Sequence, residues 1–155
     1  MNEAIAAYFG GEKSGALVLA IAGAVMLITA IVLFPAKFEL RAFAITAGVW
    51  SLLQLGIGIG LFMKTDSQVA ALLAAERSVM VATEVPRMEK VQRNFVIIEV
   101  VWVVMIIGGA LIGWRMKENV TASGIALAFV INAGVLLAFD VVAERRGATY
   151  LAQLK

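Results

Sequence analysis

The sequence predicts an all-α fold, an integral membrane, antiparallel four-helix bundle with a surface amphipathic helix between the second and third spans. Four apolar stretches each reach the length of about 20 residues with which a helix crosses the hydrocarbon core. Hydrophobic residues make up 62% of the 155 residues, above the share of about 45–50% in soluble domains. Charged residues lie almost entirely between these stretches, which are residues 15–34, 43–63, 94–114 and 121–143.

The first two stretches carry no charged residue and predict a helical hairpin. Pro35 ends the first span, since proline cannot continue the helical hydrogen-bond ladder and disfavours helix at the preceding residue. The connection to residues 43–63 is short, so the two spans should run in opposite directions. An apolar run of about 20 residues is too long for the apolar region of a secretory signal peptide, so we expect the first span to stay in the protein.

Residues 67–85 predict a surface helix between the second and third spans. Thr65, Asp66 and Ser67 follow the second span and are residue types that cap helix N-termini. The apolar residues of the segment then fall on one side of a helix, although Glu76 lies within the same arc. We expect this helix to lie on the membrane surface, and the alternative is a solvated helical loop.

Pro86 predicts the start of the third long helix. Proline is accepted in the first helical turn, and from Arg87 the chain can run without a break into residues 94–114. This extension makes the helix roughly 43 Å long at 1.5 Å per residue, about 13 Å more than the hydrocarbon core. After a tight connection, residues 121–143 return across the membrane.

The distribution of basic residues predicts the orientation of the single four-span domain, residues 1–155. Nine of the 13 Lys and Arg residues lie on the face that carries both termini. The other four, on the opposite face, are Lys37, Arg41, Arg115 and Lys117. By the positive-inside rule both termini are then cytoplasmic, and we expect the protein in the plasma (inner) membrane.

The composition removes several kinds of chemistry. The chain has no cysteine and no histidine, which excludes disulfides, thiolate chemistry, Ser-His-Asp catalysis and the commonest metal ligands. The net charge of +2 is small and the bases are dispersed, so a nucleic-acid partner is not expected. We therefore expect no catalytic residue, no cofactor and no metal, and the protein is predicted not to be an enzyme.

Small residues within the spans predict close helix packing. In lipid, small residues four positions apart let helix backbones approach each other. The candidates are Gly56 and Gly60 in the second span, Gly109 and Gly113 in the third, and Gly124 in the fourth. These glycines either pack the bundle within one chain or form a face for oligomerisation.

Two amide side chains, Gln54 and Asn132, lie near the middle of the second and fourth spans. Polar side chains at this depth usually form hydrogen bonds between helices. We expect either a structural hydrogen bond of this kind or a polar lining for a ligand or water path.

Glu99 and Asp140 are the two carboxylates inside the spans. Each lies one to two turns inside the same membrane face, so both should sit about 6–9 Å below it at the helical rise. Ionisable residues in spans are costly and usually face the bundle or a water-filled cavity. The two carboxylates could hold a cation or share a proton, or each could pair with a nearby base, the candidates being Lys64, Arg93 and Arg145.

No motif specifies a reaction or a ligand, so the expected function follows from the architecture. We predict a small non-catalytic membrane protein in the lipid bilayer that acts through self-association as a homo-oligomer, or as a subunit or interaction partner of a membrane complex. The alternative is a proton- or cation-linked channel or transporter that uses Glu99 and Asp140. A membrane enzyme acting on a lipid is a third option, but the sequence offers no nucleophile–base pair beyond those carboxylates.

Overall fold

The computed structural model describes residues 2–36 and 40–155, and four long α-helices dominate this part of the chain. They are α1 (Asn2–Ala36), α2 (Arg41–Ala74), α3 (Arg77–Arg115) and α4 (Val120–Leu154). The described residues contain no strand, so the prediction of an all-α fold with four long helices is confirmed. Each helix is long and apolar enough to cross a membrane. Lys37, one of the bases assigned to the outer face, lies outside the described residues.

The prediction of a separate surface helix at residues 67–85 is wrong. α2 continues through the first part of this segment to Ala74. The backbone is extended at Ala75 and Glu76, and α3 begins at Arg77. The segment is therefore divided between two long helices that meet at a tip of two extended residues.

Two of the three residues expected to cap the surface helix instead form hydrogen bonds within α2, and the third, Asp66, pairs with Lys13 of α1. Thr65 Oγ1 donates to the carbonyl oxygen of Leu61 at 2.7 Å, and Ser67 Oγ donates to that of Lys64 at 2.9 Å. A hydroxyl that bonds to the preceding turn has its partner without ending the helix. The helix therefore runs on through residues whose types favour a helix start.

Pro86 lies inside α3 and not at its start, because the helix begins ten residues earlier than predicted. A proline inside a helix costs about 3 kcal/mol. This cost is offset by burial of one face of the early part of α3, where Met80, Glu84 and Met88 lie one turn apart. Pro86 itself is exposed, so its ring does not interfere with that face.

The helices pack as two pairs. α1 packs along α2, α3 packs along α4, and α2 and α4 provide most of the contact between the pairs. α2 and α3 are consecutive in the chain but lie apart beyond the tip that joins them, and a cleft opens between them. In the most apolar stretch of α3, 6% of the residues are buried within the described chain.

The described residues form two hydrophobic cores, one at the end of the bundle that carries the termini and the other beyond the opposite end of the cleft. The core near the termini is rich in aromatic and methionine side chains: Ile5, Tyr8, Phe9, Met80, Met88, Tyr150 and Leu154. Within it, Tyr8 and Tyr150 stack with ring centroids 4.5 Å apart. The second core is built from small side chains around one phenylalanine: Ala30, Phe43, Ala44, Ala47 and Ala128. Together these cores hold the four helices around the cleft.

α1 packs closely against α2 at Gly58 and not at Gly56 and Gly60. A Cβ atom at Gly58 would lie 2.7 Å from both the carbonyl oxygen of Ala16 and the amide nitrogen of Ala20. A Cβ atom at Gly56 or Gly60 would meet no described atom within 4 Å. Of the two alternatives for these glycines, the structure does not show packing within the chain, because residues two positions from Gly58 point to the other side of the helix. A face for oligomerisation stays a prediction.

The predicted glycines of the third and fourth spans lie at contacts between helices. A Cβ atom at Gly109 would lie 3.2 Å from the carbonyl oxygen of Ala126, and one at Gly113 would lie 3.6 Å from Cβ of the same alanine. A Cβ atom at Gly124 would lie 3.1 Å from the amide nitrogen of Phe43. These glycines bring α3 close to α4, and α4 close to α2.

Candidate functional site

The cleft between α2 and α3 is the candidate site, with a volume of about 390 Å³. Ligand sites in proteins usually measure about 300–1,000 Å³. One end is polar and is lined by Tyr8, Glu12, Lys64, Gln68, Arg87 and Arg146. The other end is apolar and is lined by Leu19, Ile57, Leu61, Val91, Phe95, Ile98, Leu136, Phe139 and Ala143, with Trp102 and Asp140 among them. The cleft is therefore amphipathic along its length.

Arg87 is held at the polar end by a carboxylate on its own helix. Its Nε donates to Glu84 Oε2 at 2.7 Å, and a terminal nitrogen donates to Glu84 Oε1 at 2.6 Å. The Glu84 side chain is 4% exposed and that of Arg87 is 39% exposed. This hydrogen bonding raises the pKa of Arg87, and two parallel bonds also fix the direction of the guanidinium.

The other two cations at the polar end have no carboxylate partner among the described residues. Arg146 donates to the carbonyl oxygen of Gly11, which is a neutral acceptor. Lys64 lies at the end of the apolar part of α2, is exposed, and forms no ion pair within residues 2–36 and 40–155. Their two positive charges therefore remain uncompensated by direct pairing.

Glu12 lies among these cations on α1. Its Oε2 is buried and has no hydrogen-bond partner within the described part of the chain. Burial raises the pKa of Glu12, while the charges of Arg87 and Arg146 act in the opposite direction. The polar end thus combines cations from three helices with one carboxylate from the fourth.

Asp140 lies toward the apolar end, and its partner is an indole. Trp102 Nε1 donates to Asp140 Oδ2 at 2.6 Å. The bases expected to pair with Asp140 form no ion pair with it in the described structure. The indole of Trp102 also packs edge-to-face against Trp50, with centroids 6.0 Å apart. One sequence signal could have found this bond, since an indole N–H within a span needs an acceptor and carboxylates are scarce there.

Glu99 does not line the cleft. It lies close enough to Asp140, Glu144 and Arg145 for their charges to act on it. Its Oε1 is buried without a hydrogen-bond partner among the described residues, and no hydrogen bond joins it to Asp140 there. The structure brings the two carboxylates into one neighbourhood without joining them, and a shared proton or cation site stays a prediction.

Gln54 and Asn132 connect α2 to α4 away from the cleft. Gln54 Nε2 donates to Asn132 Oδ1 at 3.0 Å, and Asn132 Nδ2 donates to the carbonyl oxygen of Ala128 at 2.7 Å. Both side chains are fully buried. Their placement fits a structural hydrogen bond between helices and not the lining of a ligand path.

A comparison of the chain with protein families, curated proteins and solved structures finds no match.

The arrangement of the cleft limits the chemistry of a ligand that could bind there. Cations at one end and apolar side chains over the rest suit the binding of an amphiphile with an anionic end. Arg87 is fixed by Glu84, whereas Lys64 and Arg146 have donors to offer.

Proposed function

We propose that the protein is an antiparallel four-span bundle of the plasma (inner) membrane with both termini in the cytoplasm. The order of helix contacts supports opposite directions within each pair. Lys13 pairs with Asp66, whereas Ala30 lies near Gly48, so positions rise along α1 as they fall along α2. The same relation holds between α3 and α4, where Gln92 bonds to the backbone of residue 144 and Gly109 lies at Ala126.

The proposed orientation predicts which positions are reachable from outside the cell. Because the chain has no cysteine, single cysteines can be introduced as Arg77→Cys at the α2–α3 tip and Lys117→Cys between α3 and α4. A membrane-impermeant maleimide added to intact cells should label the second variant and not the first, which should react only after lysis. Labelling of Arg77→Cys in intact cells would show that the orientation is the opposite of the one proposed.

We further propose that the protein acts without catalysis, by associating with a second copy of itself through α2. The observation that carries this is the outward position of Gly56 and Gly60. Glycine costs a helix about 1 kcal/mol relative to alanine, and a Cβ atom at either position would meet no neighbouring helix within 4 Å in the described chain. Exposed apolar side chains accompany them on this stretch of α2, among them Leu52, Ile59 and Met63.

A second copy provides the contact that these glycines lack. Glycines four apart form a shallow groove in which a partner helix can approach closely in lipid. In a two-fold symmetric dimer the same face meets itself, so the groove of each copy receives the other. Self-association is therefore the function that this helix surface supports best.

Energy transfer between labelled copies in lipid vesicles tests the association. The wild-type protein should dimerise as the protein-to-lipid ratio rises, and Gly56→Leu with Gly60→Leu should weaken dimerisation by about tenfold or more, since bulk separates the helices. Gly108→Leu is the matched control, because that glycine on α3 also has no described neighbour within 4 Å. A wild-type protein that stays monomeric at every protein-to-lipid ratio would contradict self-association. A different membrane protein that binds the wild type, but not the variant with both Gly56→Leu and Gly60→Leu, would favour the role of a subunit instead.

The alternative function, a proton- or cation-linked carrier, has one observation in its favour. Asp140 lines the cleft, and Glu99 lies in its neighbourhood with an unpaired buried oxygen. The same vesicles, loaded with a pH-sensitive dye, distinguish the two functions. Proton flux that disappears in Glu99→Gln and Asp140→Asn, with dimerisation unchanged, would favour the carrier. Vesicles without proton flux would argue against the carrier.

A further inference from the structure

We propose that the cleft between α2 and α3 binds one anionic phospholipid from the surrounding bilayer, with its phosphate at Lys64 and Arg146 and an acyl chain along the apolar end. This inference rests on the proposed placement in the membrane. It does not depend on self-association.

The depth of the cleft matches that of a lipid. Lys64 directly follows the apolar segment of α2 and Arg146 follows that of α4, so both lie at the membrane interface, where phosphates of lipids lie. The apolar lining of the cleft extends from there toward Ile57 and Trp102. From Lys64 to Ile57 is roughly 10 Å at the helical rise. A phospholipid entering between α2 and α3 would keep the orientation that it has in the bilayer.

The charge of the polar end is complementary to a phosphodiester. Arg87 and Glu84 neutralise each other through two hydrogen bonds. Lys64 and Arg146 then face Glu12 alone, which leaves one net positive charge at this end. A phosphodiester carries one negative charge and offers oxygens to both cations, and hydrogen bonds between charged groups are the strong ones.

The position of Asp140 argues against a cationic amphiphile. Asp140 lies six residues before Arg146, roughly 9 Å deeper at the helical rise. One of its oxygens already accepts from Trp102. A cationic head group would have to pass Lys64 and Arg146 to reach Asp140, whereas an anionic head group meets those cations first.

Native mass spectrometry of the delipidated protein in detergent tests the proposal. The probes are dioleoyl phosphatidylglycerol, dioleoyl phosphatidylcholine, a dioleoyl trimethylammonium lipid and inorganic phosphate. The wild-type protein should bind phosphatidylglycerol about tenfold more tightly than phosphatidylcholine, the ratio that one charged hydrogen bond contributes. Inorganic phosphate, which has no acyl chain, should not bind at the same concentrations.

Three variants within the cleft and one control outside it locate the binding. Lys64→Gln and Arg146→Gln should each remove most of the preference for phosphatidylglycerol, while Arg145→Gln, which removes a neighbouring charge outside the cleft, should retain it. Ile57→Trp fills the apolar end from an exposed position and should reduce binding of both phospholipids. The thermal stability of each variant identifies any that fails to fold, and Lys64→Gln alters an exposed side chain that no described ion pair uses.

Several results would overturn the proposal. These are equal binding of the two phospholipids, tighter binding of the cationic lipid, binding of inorganic phosphate as tight as that of phosphatidylglycerol, or a preference unchanged in both Lys64→Gln and Arg146→Gln. Extraction of membranes with alkaline carbonate tests the membrane placement separately. A protein that this treatment releases is not embedded in the bilayer. An embedded protein without lipid preference loses only this inference.

Discussion

Replacing Gly58 by leucine should separate α1 from α2 and lower the free energy of unfolding by about 3 kcal/mol, the upper end of the usual cost of overpacking. Even the first added carbon would lie 2.7 Å from the carbonyl oxygen of Ala16 and the amide nitrogen of Ala20. Both are backbone atoms of α1, so they cannot turn aside as a flexible side chain would. The helices must move apart, and contacts along their length weaken with them.

Thermal unfolding in dilute detergent, which disfavours association between copies, measures this effect. Gly56→Leu and Gly60→Leu are the matched controls, because they add the same side chain to the same helix where the new Cβ atom would meet no described atom of another helix within 4 Å. We expect these two to unfold within a few degrees of the wild type. A Gly58→Leu protein as stable as the controls would mean that α1 and α2 do not pack as closely as the structure places them.

Replacing Arg87 by alanine should also destabilise the protein strongly, by about 3 kcal/mol, the lower end of the range for breaking a buried ion pair. The reason is the carboxylate that remains. The Glu84 side chain is 4% exposed and both of its oxygens accept from Arg87. Without the guanidinium, the Glu84 carboxylate would stay buried beside Tyr8 and Tyr150 without a positively charged partner.

The test is urea or thermal unfolding of Arg87→Ala, of Glu84→Ala and of the variant that carries both substitutions. Arg87→Ala should cost more than Glu84→Ala, because the arginine side chain is 39% exposed and solvent can take the place of its partner. Adding Glu84→Ala to Arg87→Ala should recover part of the loss. Asp66→Ala, which breaks the more exposed pair with Lys13, should cost about 0–1 kcal/mol. Equal losses in Arg87→Ala and Asp66→Ala would contradict the importance of burial at Glu84.

The hydrogen bond between Gln54 and Asn132 illustrates how far the sequence can predict a contact. Each amide lies deep in an apolar span, and a polar group at such a depth needs a partner. The sequence therefore anticipated an interhelical bond as one of two outcomes. It did not specify that the two amides would bond to each other, because that depends on the relative rotation of α2 and α4.

The cleft was much harder to predict. Lys64, Arg87 and Arg146 lie on three different helices, and their positions in the sequence do not show that they line one opening. The sequence marks Asp140 as a carboxylate that needs a partner, and it offers a nearby base or a site shared with Glu99 as the alternatives. Trp102 holds it instead, because the indole of α3 projects toward α4 at the same level.

The number of long helices and the extent of their apolar segments follow from the sequence without any tertiary contact. Both depend on local properties: the length of an apolar run, and the absence of charge within it. Where the chain leaves these runs, local signals were less reliable. Capping residue types at positions 65–67 and Pro86 did not end or begin a helix, because packing in the core near the termini stabilises α2 and α3 beyond them.

Which side of each helix faces inward depends on contacts between the helices. In a soluble helix, the contrast between polar and apolar side chains marks the buried face. A helix that is apolar all round carries no such contrast, so Gly56, Gly58 and Gly60 are equally plausible contacts in the sequence. Only the close approach of the α1 backbone distinguishes Gly58 from the other two, and the same rotation of α2 turns Lys64 and Ile57 toward the cleft.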